Sequence, residues 1–419
     1  MSEPIRFGTD GVRGRAGVFP LDDAGAFRIG RGVGAWVGPG RTVLLARDTR
    51  ASGPSLEAAL VEGLRAAGAH ARRLGVLPTG ALSAAVPAAK AAAGVMVTAS
   101  HNPWPDNGVK VLGADGRKPR DLSALEAHFA GSATPGGGTV SDDPAPAAAW
   151  EAALPAVDLR GLSVLLDAAS GAAHPHARRL LEARGARVVQ ADPPPDGQNI
   201  NEGTGAVHPP SAAAVRAAGC ALGLALDGDA DRIILIDAQH GVLDGDDLLY
   251  LLSRGGAGPV VGTVMSNGGL EAALGGRLVR APVGDAHVAA MMEASGAAVG
   301  AEPSGHVLFA DGLPTGDGLY AALRVLAAVA GADGQPVLPL PVGGWARWPA
   351  AQRSVRHAGP RFDPAALPAV QAAAAAGLRL VVRWSGTEPL LRVLVEGPAE
   401  AHPEDWAARI AADAAAYRA

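Results

Sequence analysis

One pattern constrains the fold of this chain more than any other. An apolar run, a polar or glycine-rich turn, an amphipathic helix and a second apolar run follow one another three times, at wide spacing. The first copy runs from Thr42-Val43-Leu44-Leu45-Ala46 through a helix predicted over Ser55–Ala67 to a strand over Ala71–Leu77. The second runs from Ser163-Val164-Leu165-Leu166 through His176–Arg184 to Arg187-Val188-Val189, and the third from Pro259-Val260-Val261-Gly262 through Gly269–Leu274 to Leu278–Ala281. Units of this length pair their strands in parallel through right-handed crossovers. Their wide spacing points to three related mixed α/β domains, not to a solenoid. A chain of 419 residues is also too long for a single core.

The last segment reads differently. Leu378–Trp384 and Leu390–Glu396 are β-rich runs around a short polar loop, and a helix is predicted over Glu404–Tyr417. This is the pattern of a smaller α+β domain with an antiparallel sheet. Turn-formers cluster at Ser132–Pro146, read as an exposed loop, and at Gly331–Pro341, read as the connection on which the last domain rotates. The expected boundaries are 1–152, 153–248, 249–343 and 344–419.

Bulk properties exclude several classes of function. The formal net charge of −5 argues against nucleic acid as a partner. Cys220 is the sole cysteine, which rules out an internal disulfide and a cysteine-rich metal site. The start of the chain lacks the apolar run of a signal peptide, and no stretch approaches the roughly 20 apolar residues that cross a bilayer. The chain therefore reads as cytoplasmic, with no membrane partner; a monomer or homodimer is expected, though nothing in the residues distinguishes the two. Aromatic residues make up 4% of the chain, so its cores are expected to be built from Ala, Val and Leu.

Four segments carry chemistry. Thr98-Ala99-Ser100-His101-Asn102-Pro103 follows the apolar strand Gly94-Val95-Met96-Val97, so Ser100 is presented at a strand end. His101 beside it can carry a proton or stabilise phosphate charge. Asp106-Asn107-Gly108 is read as a turn that delivers Lys110 into the next strand. Lys110 is one of three lysines, with Lys90 and Lys118. Asp227-Gly228-Asp229-Ala230-Asp231-Arg232 follows the buried run Leu222–Leu226, and its three alternate carboxylates can converge on one hard cation. Without a later glutamate of the EF-hand type, the set suits Mg²⁺ that also binds a phosphate oxygen.

Gly300-Ala301-Glu302-Pro303-Ser304-Gly305-His306 is a rigid loop in which Glu302 and Ser304 can bond vicinal sugar hydroxyls and His306 can act near a phosphate. Arg383-Trp384-Ser385-Gly386-Thr387-Glu388-Pro389, with Arg392 beyond it, has the hydroxyls, exposed amide and guanidinium groups of a phosphate cradle. Phe7-Gly8-Thr9-Asp10-Gly11-Val12-Arg13-Gly14 is a glycine-rich loop whose Arg13 gains meaning only if the other loops face it.

Together, in this order and over essentially the whole chain, these segments resemble the α-D-phosphohexomutase superfamily. The opening motif, Asp106-Asn107-Gly108-Val109-Lys110 and the Arg383–Pro389 segment are most similar to its bacterial amino-sugar branch. The sugar loop of that branch usually reads Glu-Asn-Ser-Gly-His, where this chain has Pro303. In Val283-Gly284-Asp285-Ala286-His287 it has Ala-His where Arg-Tyr is common. The resemblance implies four domains around a central cleft, each contributing one loop. It implies a phosphosugar substrate, Ser100 carried as phosphoserine, one Mg²⁺ on Ser100, Asp227, Asp229 and Asp231, and a sugar bisphosphate as intermediate or activator. It further implies Arg13, Arg232, Lys110, His101 and His306 around the reacting phosphate, and Glu302, Ser304, Arg383, Ser385, Gly386, Thr387 and Arg392 around the substrate. Glucosamine 6-phosphate and glucosamine 1-phosphate are the implied pair. A glucose or mannose phosphate mutase and a metal-dependent phosphatase remain the alternatives.

Overall fold

The computed structural model describes residues 4–8, 11–119, 121–129, 136–357, 359–385 and 389–417. Four sheets follow one another along the chain. The first has the strand order Val12–Arg15, Asp106–Leu112, Ala93–Val97, Thr42–Arg47, His70–Val76, Val140–Asp142. The second runs Gly241–Leu243, Ile233–Asp237, Leu222–Leu226, Ser163–Asp167, Arg187–Gln190, and the third Leu278–Ala281, Val260–Thr263, Val299–Ala301, Val307–Phe309. The last sheet is a three-stranded antiparallel one of Ala350–Arg356, Leu390–Glu396 and Arg379–Trp384.

The first three sheets share one plan. A central strand pairs in parallel on both sides, and the last parallel strand then turns back into an antiparallel partner. That hairpin position carries a chemical segment each time. Ser100 lies between Ala93–Val97 and Asp106–Leu112, the aspartates between Leu222–Leu226 and Ile233–Asp237, and Glu302–His306 between Val299–Ala301 and Val307–Phe309. In the last sheet, Arg383 and Trp384 end one strand of an antiparallel pair and Pro389 directly precedes the other. Strands covered on both faces read as continuous apolar runs, which is why Ala93–Val97 and Leu222–Leu226 are buried at every position.

The sequence reading needs three corrections. Asp106-Asn107-Gly108 is strand, not turn: Asn107 and Gly108 pair with Gly14 and Arg13. A Cβ on Gly108 would stand 2.5 Å from the Thr98 carbonyl, so glycine there permits close strand approach and makes no bend. Within the Ser132–Pro146 stretch, Val140–Asp142 adds an edge strand to the first sheet. Gly331–Pro341 is not a free connection: Leu340 is fully buried and its N–H donates to Asp237 Oδ2 at 2.7 Å.

One apolar cluster runs through the first three sheets and includes Leu82, Met96, Leu166, Leu226, Leu249, Leu323 and Leu340. The last sheet has its own, built from Ala351, Leu391, Val393, Val395, Ala407 and Ile410.

Candidate active site

The shared core brings the first three hairpin loops together. Ser100 is buried, and its Oγ donates to Asp227 Oδ2 at 2.7 Å and lies 3.3 Å from His101 Nδ1. Lys110, also buried, bridges Asp229 Oδ2 at 2.7 Å and Asp231 Oδ2 at 2.9 Å. Thr79 Oγ1 donates to Asp229 Oδ2 at 2.5 Å. Backbone bonds from Thr79 N to Asp229 O and from Gly318 N to Ala230 O grip the aspartate loop from the first and third sheets' sides. Arg232 forms a β-bridge with His306, whose Nδ1 lies 3.6 Å from Asp231 Oδ1.

The three aspartates present ligand atoms within 4.8 Å of one another. Asp229 Oδ1 and Asp231 Oδ1 are buried and have no hydrogen-bond partner. Asp231 Oδ1 has charged neighbours in His306 Nδ1 at 3.6 Å and Arg232 Nε at 3.8 Å, whereas Asp229 Oδ1 is desolvated and unbonded, a costly state that a divalent cation at the triad relieves. The residues therefore fit a hard cation with oxygen ligands.

The electrostatics follow from the packing. Burial, with Asp231 and Asp229 close by, pushes Asp227 up to about 7. Asp231, against its burial, is held well below the usual carboxylate range by Lys110 and His306. Burial and the positive charges of Arg232 and Arg13 push His101 down to about 4, so its imidazole is neutral at physiological pH. His306 is raised, because the carboxylates of Asp231 and Asp285 outweigh its burial.

Other expected site residues stand further out. Glu302 accepts from Gly284 N at 2.9 Å, and Ser304 is exposed at the loop tip. Arg383 and Arg392 are exposed and directly opposite one another across the last hairpin. Ser385 is buried, with its N–H on Leu390 O at 2.8 Å; Gly386 and Thr387 lie outside the described residues.

Several supporting residues escaped the sequence reading. Lys118 pairs with Asp285 at 2.7 Å, and Asp285 lies 3.7 Å from His306 Nε2, so an ion pair between distant segments backs the histidine. Asp48 and Arg50 form a fully buried pair beneath the Ser100 loop. Their one sequence signal was the charged run Arg47-Asp48-Thr49-Arg50 directly after a buried strand.

The sequence matches all four domain profiles of the phosphoglucomutase/phosphomannomutase family. These are the alpha/beta/alpha domains I, II and III at residues 4–132, 148–241 and 244–340, and the C-terminal domain at 356–413. It is 40% identical to the phosphoglucosamine mutase of Aeromonas hydrophila, with 97% of each chain covered. The chain belongs to the phosphoglucosamine mutase family. To its Thermus thermophilus member the chain is 41% identical, over 98% of this chain and 96% of that one. Among solved structures, a phosphoglucomutase/phosphomannomutase family protein from Burkholderia thailandensis superposes with a TM-score of 0.75 at 25% identity, covering 97% and 95% of the two chains. The N-acetylphosphoglucosamine mutase of Aspergillus fumigatus shares the fold, with a TM-score of 0.63 at 18% identity over 99% and 96%. Family membership makes the enzyme an isomerase that works by phosphoryl transfer. Among the described residues no helix is long and apolar enough to cross a membrane.

Proposed function

We propose that the chain interconverts glucosamine 6-phosphate and glucosamine 1-phosphate, with Ser100 as the phosphoryl relay. The observation that carries the reading is the Ser100 Oγ contact to Asp227, set beside buried oxygens of Asp229 and Asp231 that make no hydrogen bond. In this reading Ser100 is carried as phosphoserine and gives its phosphoryl group to the free hydroxyl of a bound sugar monophosphate. The resulting bisphosphate turns over in the cleft, and its other phosphate returns to Ser100. The sugar leaves with its phosphate moved.

Asp227, Asp229, Asp231 and the Ser100 phosphate would hold one Mg²⁺, which would supply positive charge against the transferring group. Arg13, Arg232 and Lys110 add fixed positive charge around it. Lys110, His101, whose Nδ1 lies 3.3 Å from Ser100 Oγ, and His306 are the groups that take the proton of the attacking hydroxyl and return one to the departing oxygen in each half of the reaction. The carboxylates of Asp231 and Asp285 favour the protonated form of His306. Glu302 and Ser304 bind the sugar hydroxyls. Arg383, Ser385, Gly386, Thr387 and Arg392 hold the phosphate that is not reacting, which lets one site serve both ends of the sugar. The chain works in this reading as a soluble cytoplasmic enzyme.

Ser100→Ala should lower turnover of glucosamine 6-phosphate by at least about 10⁴-fold, since the covalent relay is lost outright. Phosphorus NMR of the reaction reads this directly and separates the rivals. Free phosphate as the main product would establish a phosphatase. Faster turnover of glucose or mannose phosphates than of the glucosamine ester would overturn the amino-sugar assignment.

A further inference from the structure

Ser100 has a backbone φ of 52°, in the left-handed region. A residue with a Cβ persists there only where its surroundings over-determine it. The surroundings are unusually specific. Arg50, with a fully buried side chain, uses all five of its N–H donors on this loop and its anchor. Nε donates to Asp48 Oδ2 at 2.9 Å. Nη1 donates to the carbonyls of Pro103 at 2.6 Å and Asp106 at 2.9 Å, and Nη2 to those of Ser100 at 3.0 Å and Asn102 at 2.8 Å.

The other end of the Ser100 peptide leads to the same anchor. Ser100 N donates to Thr98 Oγ1 at 2.9 Å, and Thr98 Oγ1 donates to Asp48 Oδ2 at 2.7 Å. From the second sheet's side, Asn201 Nδ2 donates to the carbonyls of Ser100 at 2.9 Å and Asn102 at 3.0 Å. The aspartate loop closes the enclosure: a Cβ on Gly228 would stand 2.5 Å from the Ser100 carbonyl.

We propose that Arg50 and Asn201 are positioning residues for the phosphoryl relay: by fixing the carbonyls of Ser100 and Asn102 they hold Ser100 in the left-handed conformation that directs Oγ onto Asp227. Neither side chain reaches the reacting atoms, so both act through Ser100. The inference rests on the relay role given to Ser100 above. Its physical basis is that phosphoryl transfer depends on in-line alignment, and a small displacement of the nucleophile removes most of the rate. The two residues approach from different sheets, so the loop is also registered against the aspartates it must meet.

Arg50→Lys separates charge from geometry. Lysine still neutralises Asp48, but a single ammonium cannot span four carbonyls and the carboxylate. The expected result is a fall in kcat of about 100-fold with KM for glucosamine 6-phosphate held within about threefold. Asn201→Ala, which leaves the Arg50–Asp48 pair intact, should lower kcat about tenfold with the same constancy of KM. The phosphorus resonance of phospho-Ser100 should broaden or split in both, as the serine samples more than one backbone state. A folded Arg50→Lys enzyme with kcat within threefold of wild type overturns the proposal, as does a rise in KM that matches the loss in kcat. Should Arg50→Lys not fold, Asn201→Ala decides, and an unchanged kcat and a single sharp resonance overturn it. A wild-type enzyme without phosphate on Ser100, together with an active Ser100→Ala, would instead remove the relay itself.

Discussion

The first three sheets and the last one are joined to the molecule in different ways. Sheets one to three share a continuous apolar cluster, and their hairpin loops interlock through Lys110, Thr79, Asn201 and the Arg232–His306 bridge. The last sheet keeps its own core and rests on the third through polar groups. Asn267 bonds both the N–H and the carbonyl of Trp348, at 2.9 and 3.0 Å. Glu396 accepts from Gly268 N at 3.0 Å and pairs with Arg379, while Arg347 pairs with Asp244 and Asp247. A cavity of about 550 Å³ opens at this seat, lined in part by Asp246, Asn267, Pro303, Trp348 and Glu396. Chemistry that needs alignment sits on the fused block. The segment proposed to hold the non-reacting phosphate belongs to the body with the polar seat, where relative motion is the default.

Four measurements test that contrast, in falling order of effect. Lys110→Met leaves Asp229 and Asp231 buried without their cation, which should cost about 3–5 kcal/mol. Urea unfolding with and without Mg²⁺ checks it, and the metal should recover part of the loss. Leu226→Ala in the fused core should cost about 2–5 kcal/mol and lower the main calorimetric transition. Ile410→Ala should cost a similar amount but shift only a separate, smaller transition of the last domain. One transition that moves with both variants would break the comparison.

Asn267→Ala removes both bonds to Trp348 and should cost about 1–3 kcal/mol, expressed locally. Hydrogen exchange should quicken across 350–417 while the strands around Ser100 keep their protection. The smallest effect is in pH. Asp227 in the block and Asp246 at the seat are both raised to about 7, mainly by burial and then by neighbouring carboxylates. A carboxylate raised on folding stabilises the native state while protonated, and that contribution is lost as pH rises through the folded value. Metal-free protein should therefore lose stability from about pH 4, just above the unfolded carboxylate value, to about pH 7, and level off beyond it. Mg²⁺ should remove the part due to Asp227, and Asp246→Asn the part due to Asp246. An unaltered slope in both cases would show that neither group carries it.

Much of this was legible in the chain. The triple strand–helix–strand pattern revealed the parallel pairs, because fully covered strands must read as apolar runs and parallel pairs need a crossover; the antiparallel return strand of each sheet came only from the structure. The aspartate loop was readable because three carboxylates at alternate positions after a buried strand have few uses without a cation. Ser100 alone was a weak signal, since Ser-His-Asn turns are common. Asp106–Gly108 was misread, because Asn-Gly marks a turn unless another strand comes close enough to require glycine. Arg50 gave only the charged run after a buried strand, and Asn201 gave no signal at all.

By itself, then, the sequence determined the repeated domain plan, the candidate metal ligands and the order of the four loops, all of which are local in pattern. The tertiary structure alone decided that Lys110 sits between Asp229 and Asp231, that Ser100 meets Asp227, and that Arg50 and Asn201 clamp the same two carbonyls. These contacts join residues from about 50 to more than 120 positions apart. Their partners are backbone carbonyls and carboxylates whose positions exist only once the sheets have packed, and hydrogen-bond geometry at 3 Å leaves no trace in the spacing of residues along a chain.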